Sequence, residues 1–513
     1  MGVVGAGLAP PGRPKGRPYA ARRDASAPCD RLPAIADLTA DARCETGSHP
    51  AGLHQGMGFR DVLFFIITAG TNLQWVATAA AGGVSALTVW VIGFFAMALP
   101  LGICVIALSS RHPEEGGLYV WAKVAFGDFA GFITGWSYWM SNLPYFPAVL
   151  YFAAGNALYA GGTRWTGYSA SAPYFIGASL IGLAFGTVVN VVGIEVGKWL
   201  SNIGAIARWL AKAMLVALGA AAYLKFGSAT HFTVRALLPG THLKDIIFWS
   251  TIAFALTGLE SASFLGDEIR DARRTVPRAI LVSLPIILVV YLAGTVSVLV
   301  ALPAEEITGM QGIMQAIQHA EARIGLSGLS PVAAVLITLT ALGSVGAWLA
   351  SVARIPFVAG LDSFLPPALG KVHPKWGTPW VALVSQALIT AVFVFLGQAG
   401  TSVRGAYDAL VSMTIIWYFI PFLYLFAAAI KLRGEAKVPG FRIPGGSLGV
   451  ALLGAAGLLT TIASIGLALF PADEDPNKLL AVVKVVGLTV VMLGVGVAVY
   501  AKGRRTPRAP GAA

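Results

Sequence analysis

The sequence predicts an all-α polytopic membrane protein of twelve transmembrane helices, on three observations. Hydrophobic residues fill 56% of its 513 positions and charged residues 12%, far from the roughly even apolar share and one-quarter charge of soluble domains. Apolar windows about 20 residues long, enough to cross a bilayer, recur along the chain. Lys and Arg collect in alternate connections between those windows, the charge bias that orients membrane helices.

Residues 1–58 differ from the rest: they are rich in Pro, Gly, Ala and Arg and contain no apolar run of spanning length. That composition reads as disordered. No h-region of a signal peptide follows the charges, and Met1-Gly-Val-Val-Gly-Ala6 lacks the Ser or Thr of a myristoylation site. Two readings stand: a disordered cytoplasmic tail, or an extension upstream of a native start at Met57. Mass spectrometry of the native N-terminus separates them; a Met57 or Gly58 end is expected from the second, and a Met1 or Gly2 peptide overturns it.

The windows fall near 61–81, 85–108, 127–159, 173–193, 199–224, 245–265, 278–302, 330–351, 378–397, 407–430, 447–470 and 479–501. The third is longer than a bilayer needs, which predicts tilt or an interfacial extension. Residues 59–265 thus hold six spans, 266–430 four more and 431–503 the last two, with 504–513 a short tail. Between spans, Arg111 to Lys123 is amphipathic and suits the interface. Gly266 to Ala279 is charged, with Pro277 suited to the opening of the next helix. Arg354 to Pro379 reads as a hairpin loop, where Pro366, Pro367 and Pro374 block continuous helix. With the N-terminus inside, 26 of the 36 Lys and Arg lie on that side and eight on the other. Both termini are therefore expected in the cytoplasm, in the cytoplasmic membrane.

Two spans carry an interruption. Span one has Thr68-Ala69-Gly70-Thr71-Asn72 at its centre and span six has Thr257-Gly258 at a comparable depth, with Glu260 beside it. Glycine-interrupted helices in corresponding positions of two five-helix halves point to an inverted repeat with a site at the midplane. An unwound helix exposes N–H groups at one new end and C=O groups at the other. A carboxylate suits the amides around Gly70, and an ammonium suits the carbonyls from Phe254 to Thr257. The bland alternative is close packing or kinking, for which glycine is common in membrane helices, and this chain has 60 glycines.

At Gly258-Leu-Glu-Ser-Ala-Ser263, Asp267-Glu268, Pro277-Arg-Ala279 and Glu114-Glu-Gly-Gly117 the chain resembles the amino acid–polyamine–organocation superfamily. Trp348-Leu-Ala-Ser351 and Phe441-Arg-Ile-Pro-Gly-Gly446 look most like its bacterial glutamate/γ-aminobutyrate antiporter branch. The resemblance spans about residues 58 to 503. It implies a LeuT-like fold of two inverted five-helix repeats plus two C-terminal helices, and a permease that alternates access to one central amino-acid site. It implies substrate contacts from Ala69, Gly70 and Thr71, from Ser141, Asn142 and Tyr145 on span three, and from Thr257 and Gly258. Phe254 and Trp348 match aromatics that close the pocket. Glu260 matches a glutamate that links the broken helix to its neighbours and is implicated in gating or proton sensitivity. The span-one motif departs from the family's Gly-Ser-Gly type, and the chain has only Lys502 to Ala513 beyond its last span, so an acid-gated plug is not expected.

Each role has a structural alternative. Glu260 can be a static buried connector, Phe254 and Trp348 ordinary core aromatics, and Asn142 a hydrogen-bond donor to a neighbouring helix. Tyr145 lies between Pro144 and Pro147, which can serve only to bend the helix. Arg208 and Lys212, four residues apart on one face of span five, belong to gating or coupling or else snorkel to the interface, as expected of Arg208. The deeper Lys212 lies near where some proton-coupled relatives place a lysine in lieu of sodium. The Glu114–Glu115 pair is expected to be solvated.

Rival classes lack their chemistry in this sequence. Cys29, Cys44 and Cys104 form no framework or metal pattern, and none of the seven histidines lies in the middle of an apolar span. No metal or cofactor is expected. No intramembrane nucleophile–base constellation supports an enzyme, and no repeated filter supports a channel. The net charge of +12 sits between spans, so nucleic acid is not an expected partner. A small-molecule amino acid or amine, protons and the bilayer remain. Polyamine or cationic amino-acid uptake would need acidic residues at the substrate side-chain end, where spans three and eight supply none, and a non-transporting receptor of the same fold stays open.

Overall fold

The computed structural model describes residues 57–112, 116–240, 243–358, 364–434, 445–470 and 477–505. Residues 1–56, the Glu114–Glu115 pair and the Phe441 to Pro444 part of the last motif lie outside them. Among the described residues every regular element is helical, apart from one isolated bridge between Met57 and Ile269. Eleven helical stretches are long and apolar enough to cross a membrane. The expected span three is a single 30-residue helix, Asp128–Ala157, and it is the one expected span missing from those eleven. Its length suffices, but Trp136, Ser137, Tyr138, Trp139, Ser141, Asn142 and Tyr145 lower its apolarity. The helix can carry them because it is buried almost throughout, facing protein rather than lipid.

The spans follow the expected order. Span one is Phe59–Ala69 and Leu73–Ala81. Span two is Ser85–Gly93 and Leu99–Arg111, joined by a π turn at Phe94–Ala98. Helix Leu118–Phe126 precedes span three, where the interfacial segment was expected. Spans four and five are Ala172–Val192 and Ile194–Phe226. Span six is Leu243–Ala255, continued after its break by a 3₁₀ helix, Leu259–Glu268. Spans seven to twelve are Ala272–Ala301, Leu329–Val358, Trp380–Gln398, Val403–Lys431, Gly446–Ala468 and Lys478–Arg505.

Two expectations need correction. Pro277 does not open span seven but lies inside it, because the helix begins at Ala272 after Asp271 in a left-handed conformation (φ 46°). The proline costs one hydrogen bond close to the helix end, where the loss is smallest. A thirteen-residue helix between spans seven and eight, Gly312–Ile324, was not anticipated. Too short to span, it buries Ile313, Met314 and Ile317 and ends on Gly325 in the left-handed region (φ 77°). Glu321 ties it to span eight by accepting from Leu329 N (3.1 Å), Ser330 N (2.8 Å) and Ser330 Oγ. Burial pushes this carboxyl up, but those hydrogen bonds outweigh it and hold it below the usual glutamate value.

Close crossings and buried polar pairs fix the bundle. Spans five and eight touch at Gly204 and Gly343, where a Cβ on Gly204 would stand 2.7 Å from Gly343 Cα and 3.0 Å from Leu339 O. Small residues are what allow such backbone approach in a membrane. Trp90 stacks on Tyr291 (4.2 Å, 12°) and its indole donates to Thr295 Oγ1 (3.0 Å), joining spans two and seven. Trp139 on span three donates to Gln386 on span nine (3.0 Å), and Asn190 on span four to Gly346 O on span eight (2.9 Å).

The clash at Gly204 involves backbone, which cannot rotate away. Gly204→Val is expected to destabilise the protein by about 1–3 kcal/mol or prevent its folding. Gly177→Ala, with nothing within 4 Å of the added carbon, serves as the control. Thermal unfolding in detergent checks both, and equal midpoints would contradict the crossing.

Candidate functional site

Both interruptions are real breaks. In span one, regular helix stops at Ala69, Gly70 caps it by donating to Ile66 O (2.8 Å), and the second half starts after Asn72 in an extended conformation. In span six, helix ends at Ala255 and the chain turns through Leu256, Thr257 and Gly258, the last at φ 101°, a left-handed value that suits glycine. A Cβ there would lie 3.3 Å from Ala69 C and O and 3.4 Å from Gly70 Cα, so the breaks meet backbone to backbone. The phenol of Tyr291 on span seven joins them. It accepts from Asn72 N (3.1 Å) and donates to Ala255 O (3.0 Å), serving one freed amide and one freed carbonyl.

A cavity of about 40 Å³ lies against this junction, lined by Ala69, Asn72, Trp75, Ser141, Asn142, Tyr145, Phe254, Ala255, Thr257, Gly258, Trp348, Thr414 and Tyr418. That is room for a few waters and less than a bound amino acid fills. Eight of the residues expected here line it: Ala69, Ser141, Asn142, Tyr145, Phe254, Thr257, Gly258 and Trp348. Gly70 and Thr71 lie behind the wall. The Gly70 amide is spent on Ile66 O, so the amide end facing the cavity is the start of Leu73–Ala81. Among the described residues Asn142 bonds no neighbouring helix. It donates to Tyr138 O on its own helix (2.7 Å), as Ser141 does (2.7 Å).

Sequence reasoning missed Asn72, Trp75, Thr414, Tyr418 and Tyr291. Trp75 and Phe254 meet edge to face (5.2 Å, 85°), and Phe254 meets Tyr418 in the same manner (5.1 Å, 87°). A usable signal existed, since a phenol in an apolar span needs an acceptor. For Tyr418 that acceptor is Glu260, and for Tyr291 it is Ala255 O.

Glu260 is fully buried and lies behind the pocket, not in its wall. Its carboxylate accepts from Gly258 N (2.9 Å) and from Tyr418 Oη, and so ties the break to span ten. Arg208 and Lys212 reach the opposite break. Lys212 Nζ donates to Thr71 O (3.0 Å) and Thr71 Oγ1 (2.6 Å), while Arg208 donates to Thr68 O (2.5 Å) and Ser344 Oγ. Arg208 therefore does not snorkel: both cations are buried and grip the carbonyl end of Phe59–Ala69. The Gly204–Gly343 crossing, one turn away, brings Arg208 beside Ser344.

The comparisons with known proteins agree with this architecture. The amino acid permease family model matches residues 57–495. The chain belongs to that family. It is similar to an uncharacterized transporter of Legionella pneumophila, 27% identical and covering 80% of this chain and 89% of the relative. A protein of Lactococcus lactis named as a probable agmatine/putrescine antiporter is 24% identical, over 72% and 79% of the two chains. The serine/threonine exchanger of Bacillus subtilis is 26% identical, over 73% and 82%. This amino acid permease is a multi-pass membrane protein and a secondary transporter of a small molecule, not an enzyme.

Tyr291→Phe keeps the ring and its stack but leaves the Asn72 amide and the Ala255 carbonyl one partner short. A loss of about 1–3 kcal/mol in stability or in substrate binding is expected. Thermal unfolding with and without substrate checks it, and an unchanged variant would show that the breaks do not depend on the phenol.

Proposed function

We propose that this permease exchanges small neutral amino acids across the cytoplasmic membrane, without sodium and with both termini in the cytoplasm. The observation that carries the reading is the cavity wall: backbone breaks, hydroxyls, amides and aromatics line it, with no charged side chain among the described residues. A polyamine or cationic amino acid would need a carboxylate there, and Glu260 is turned away to Gly258 and Tyr418. The named function of the Bacillus subtilis relative, a serine/threonine exchanger, supports exchange and a small hydroxylated substrate.

In this reading the substrate carboxylate sits at the amide end of Leu73–Ala81 beside Asn72, where the helix leaves its first N–H groups unpaired. The ammonium meets the carbonyl end of Leu243–Ala255, whose oxygens keep a second lone pair. Ser141, Asn142 and Thr414 receive the short side chain. Trp75 and Phe254 close the pocket on the side of a larger vestibule, and Tyr145 and Trp348 wall the other sides. Glu260 couples the geometry of the span-six break to Phe254 through Tyr418. Arg208 and Lys212 hold the carbonyls that a sodium ion would otherwise hold, which supports sodium independence. Rocking of the broken spans against the scaffold then alternates access.

Reconstitution into liposomes with labelled amino acids, putrescine and agmatine, with and without internal amino acid, sodium and a pH gradient, tests this. Neutral amino-acid uptake should require internal amino acid and ignore sodium. Uptake driven by the pH gradient alone would replace exchange by proton symport, and uptake of putrescine would replace the substrate class. Binding without flux would make the protein a receptor.

A further inference from the structure

On the face where span one begins, spans two and ten end side by side, and the short helix Leu118–Phe126 packs against span ten. Three cations meet at this corner. Arg111, in the last turn of span two, donates to Ala107 O and to Arg433 O (3.4 Å each), so its guanidinium stands beside the residue just past span ten. Arg433 donates to Ile430 O (2.5 Å). Lys431 donates to Ala125 O (2.5 Å), with its Nζ 4.9 Å from the centre of the Phe126 ring. Among the described residues none of the three pairs with a carboxylate, and Asp128 close by is paired with Lys123 (3.7 Å). Their partners are the carbonyl ends of three helices, each worth about half a negative charge. About half of the positive charge is therefore left over. Lys431 and Arg433 are exposed and Arg111 half-buried, and a guanidinium has more N–H donors than these carbonyls use. Next to the cations, Val124, Phe126 and Phe129 are exposed apolar side chains.

We propose that this corner is a binding site for an anionic phospholipid, with the phosphate held by Arg111, Lys431 and Arg433 and the acyl chains lying along Val124 and Phe126. It depends on the chain being a membrane protein and not on which substrate it carries. A short helix with cations at one side and exposed apolar side chains at the other suits the boundary between headgroups and acyl chains. Basic clusters between the ends of membrane helices favour anionic headgroups. A free anion would satisfy the cations and leave the apolar side chains uncovered, whereas a zwitterionic lipid brings a cation that this corner repels. A lipid satisfies both halves of the surface only if its headgroup is negative. The other end of the same short helix touches span six: a Cβ on Gly117 would stand 2.2 Å from Ser263 Oγ in Leu259–Glu268. A lipid bound at Lys431 thus braces a helix that rests on the broken span, and it should stabilise the fold by binding the native state.

Native mass spectrometry of the full-length protein in detergent, titrated with phosphatidylglycerol or with phosphatidylcholine of the same acyl chains, measures the affinity of each. The wild type should bind its tightest phosphatidylglycerol about tenfold or more above phosphatidylcholine, and its thermal midpoint should rise with that lipid. Arg111→Gln, Lys431→Gln and Arg433→Gln should each weaken phosphatidylglycerol about fivefold and leave phosphatidylcholine unchanged. Arg433→Lys, which keeps the charge, should retain most of the affinity. Arg164→Gln, an exposed cation beyond the far end of span three, should change nothing. Thermal unfolding checks that each variant is folded, and the exposed Arg433 suffices if the other two, which also bond helix ends, are not. Equal affinity for the two lipids overturns the proposal, as does an Arg433→Gln variant that binds like Arg164→Gln. Displacement of the phosphatidylglycerol by inorganic phosphate at equal concentration would make the corner a free-anion site and overturn the lipid as its occupant.

Discussion

The hydroxyl of Tyr291 is the contact on which the two broken helices depend. Interrupting a helix at membrane depth frees amides and carbonyls that each cost several kcal/mol if left without partners. One phenol, fixed by its stack on Trp90, answers both breaks at once through Asn72 N and Ala255 O. The left-handed Gly258 lets the span-six turn rest on Ala69 and Gly70 without a side chain between them. With the breaks pinned to each other and to span seven, the breaks border the small central cavity.

A chain of contacts runs from that junction to the vestibule. Glu260 holds Gly258 N and Tyr418 Oη, Tyr418 packs on Phe254, and Phe254 packs on Trp75, which is the partition between the two cavities. A change in the break therefore has a direct mechanical path to the partition. Each step is a hydrogen bond or an aromatic edge-to-face contact of stated geometry. Occupancy of the cavity by a substrate would bear on three members of the chain at once: Gly258, Phe254 and Tyr418.

Much of this was legible in the sequence, and the parts that were not share a cause. Apolar periodicity located the spans, and Gly70 and Gly258 located the breaks, because backbone freedom is a local property written in residue type. The eight expected residues in the cavity wall came from motif and depth. Asn72 and Trp75 were missed because which face of Leu73–Ala81 points inward depends on the rotation acquired at the break. Tyr291 and Tyr418 lie on spans remote in sequence: a phenol in an apolar span signals that it needs an acceptor, but which acceptor it meets depends on helix packing that no local pattern encodes. Arg208 misled for a similar reason: a long cation in a span ordinarily reaches for water, and only the Gly204–Gly343 crossing places Ser344 and Thr68 O within its reach.

Among the described residues, the titratable side chains buried at the two breaks each bond a helix end. Arg208 and Lys212 bond carbonyls at the C-terminal end of Phe59–Ala69, where the helix dipole is negative. Glu260 bonds an amide at the opening of Leu259–Glu268, where free N–H groups favour an anion. Two basic groups and one carboxyl group so deep would be costly without partners, but each is hydrogen-bonded to a backbone group at a break. These side chains are engaged at the breaks, and none of the described residues lining the cavity is charged. The pocket is neutral in its side chains while its backbone ends remain polar, a combination that fits a zwitterion with a small uncharged side chain better than a polyamine. The charged residues that attract attention in the sequence, Arg208, Lys212 and Glu260, are thus engaged away from the cavity, and the described wall is left without a charged side chain.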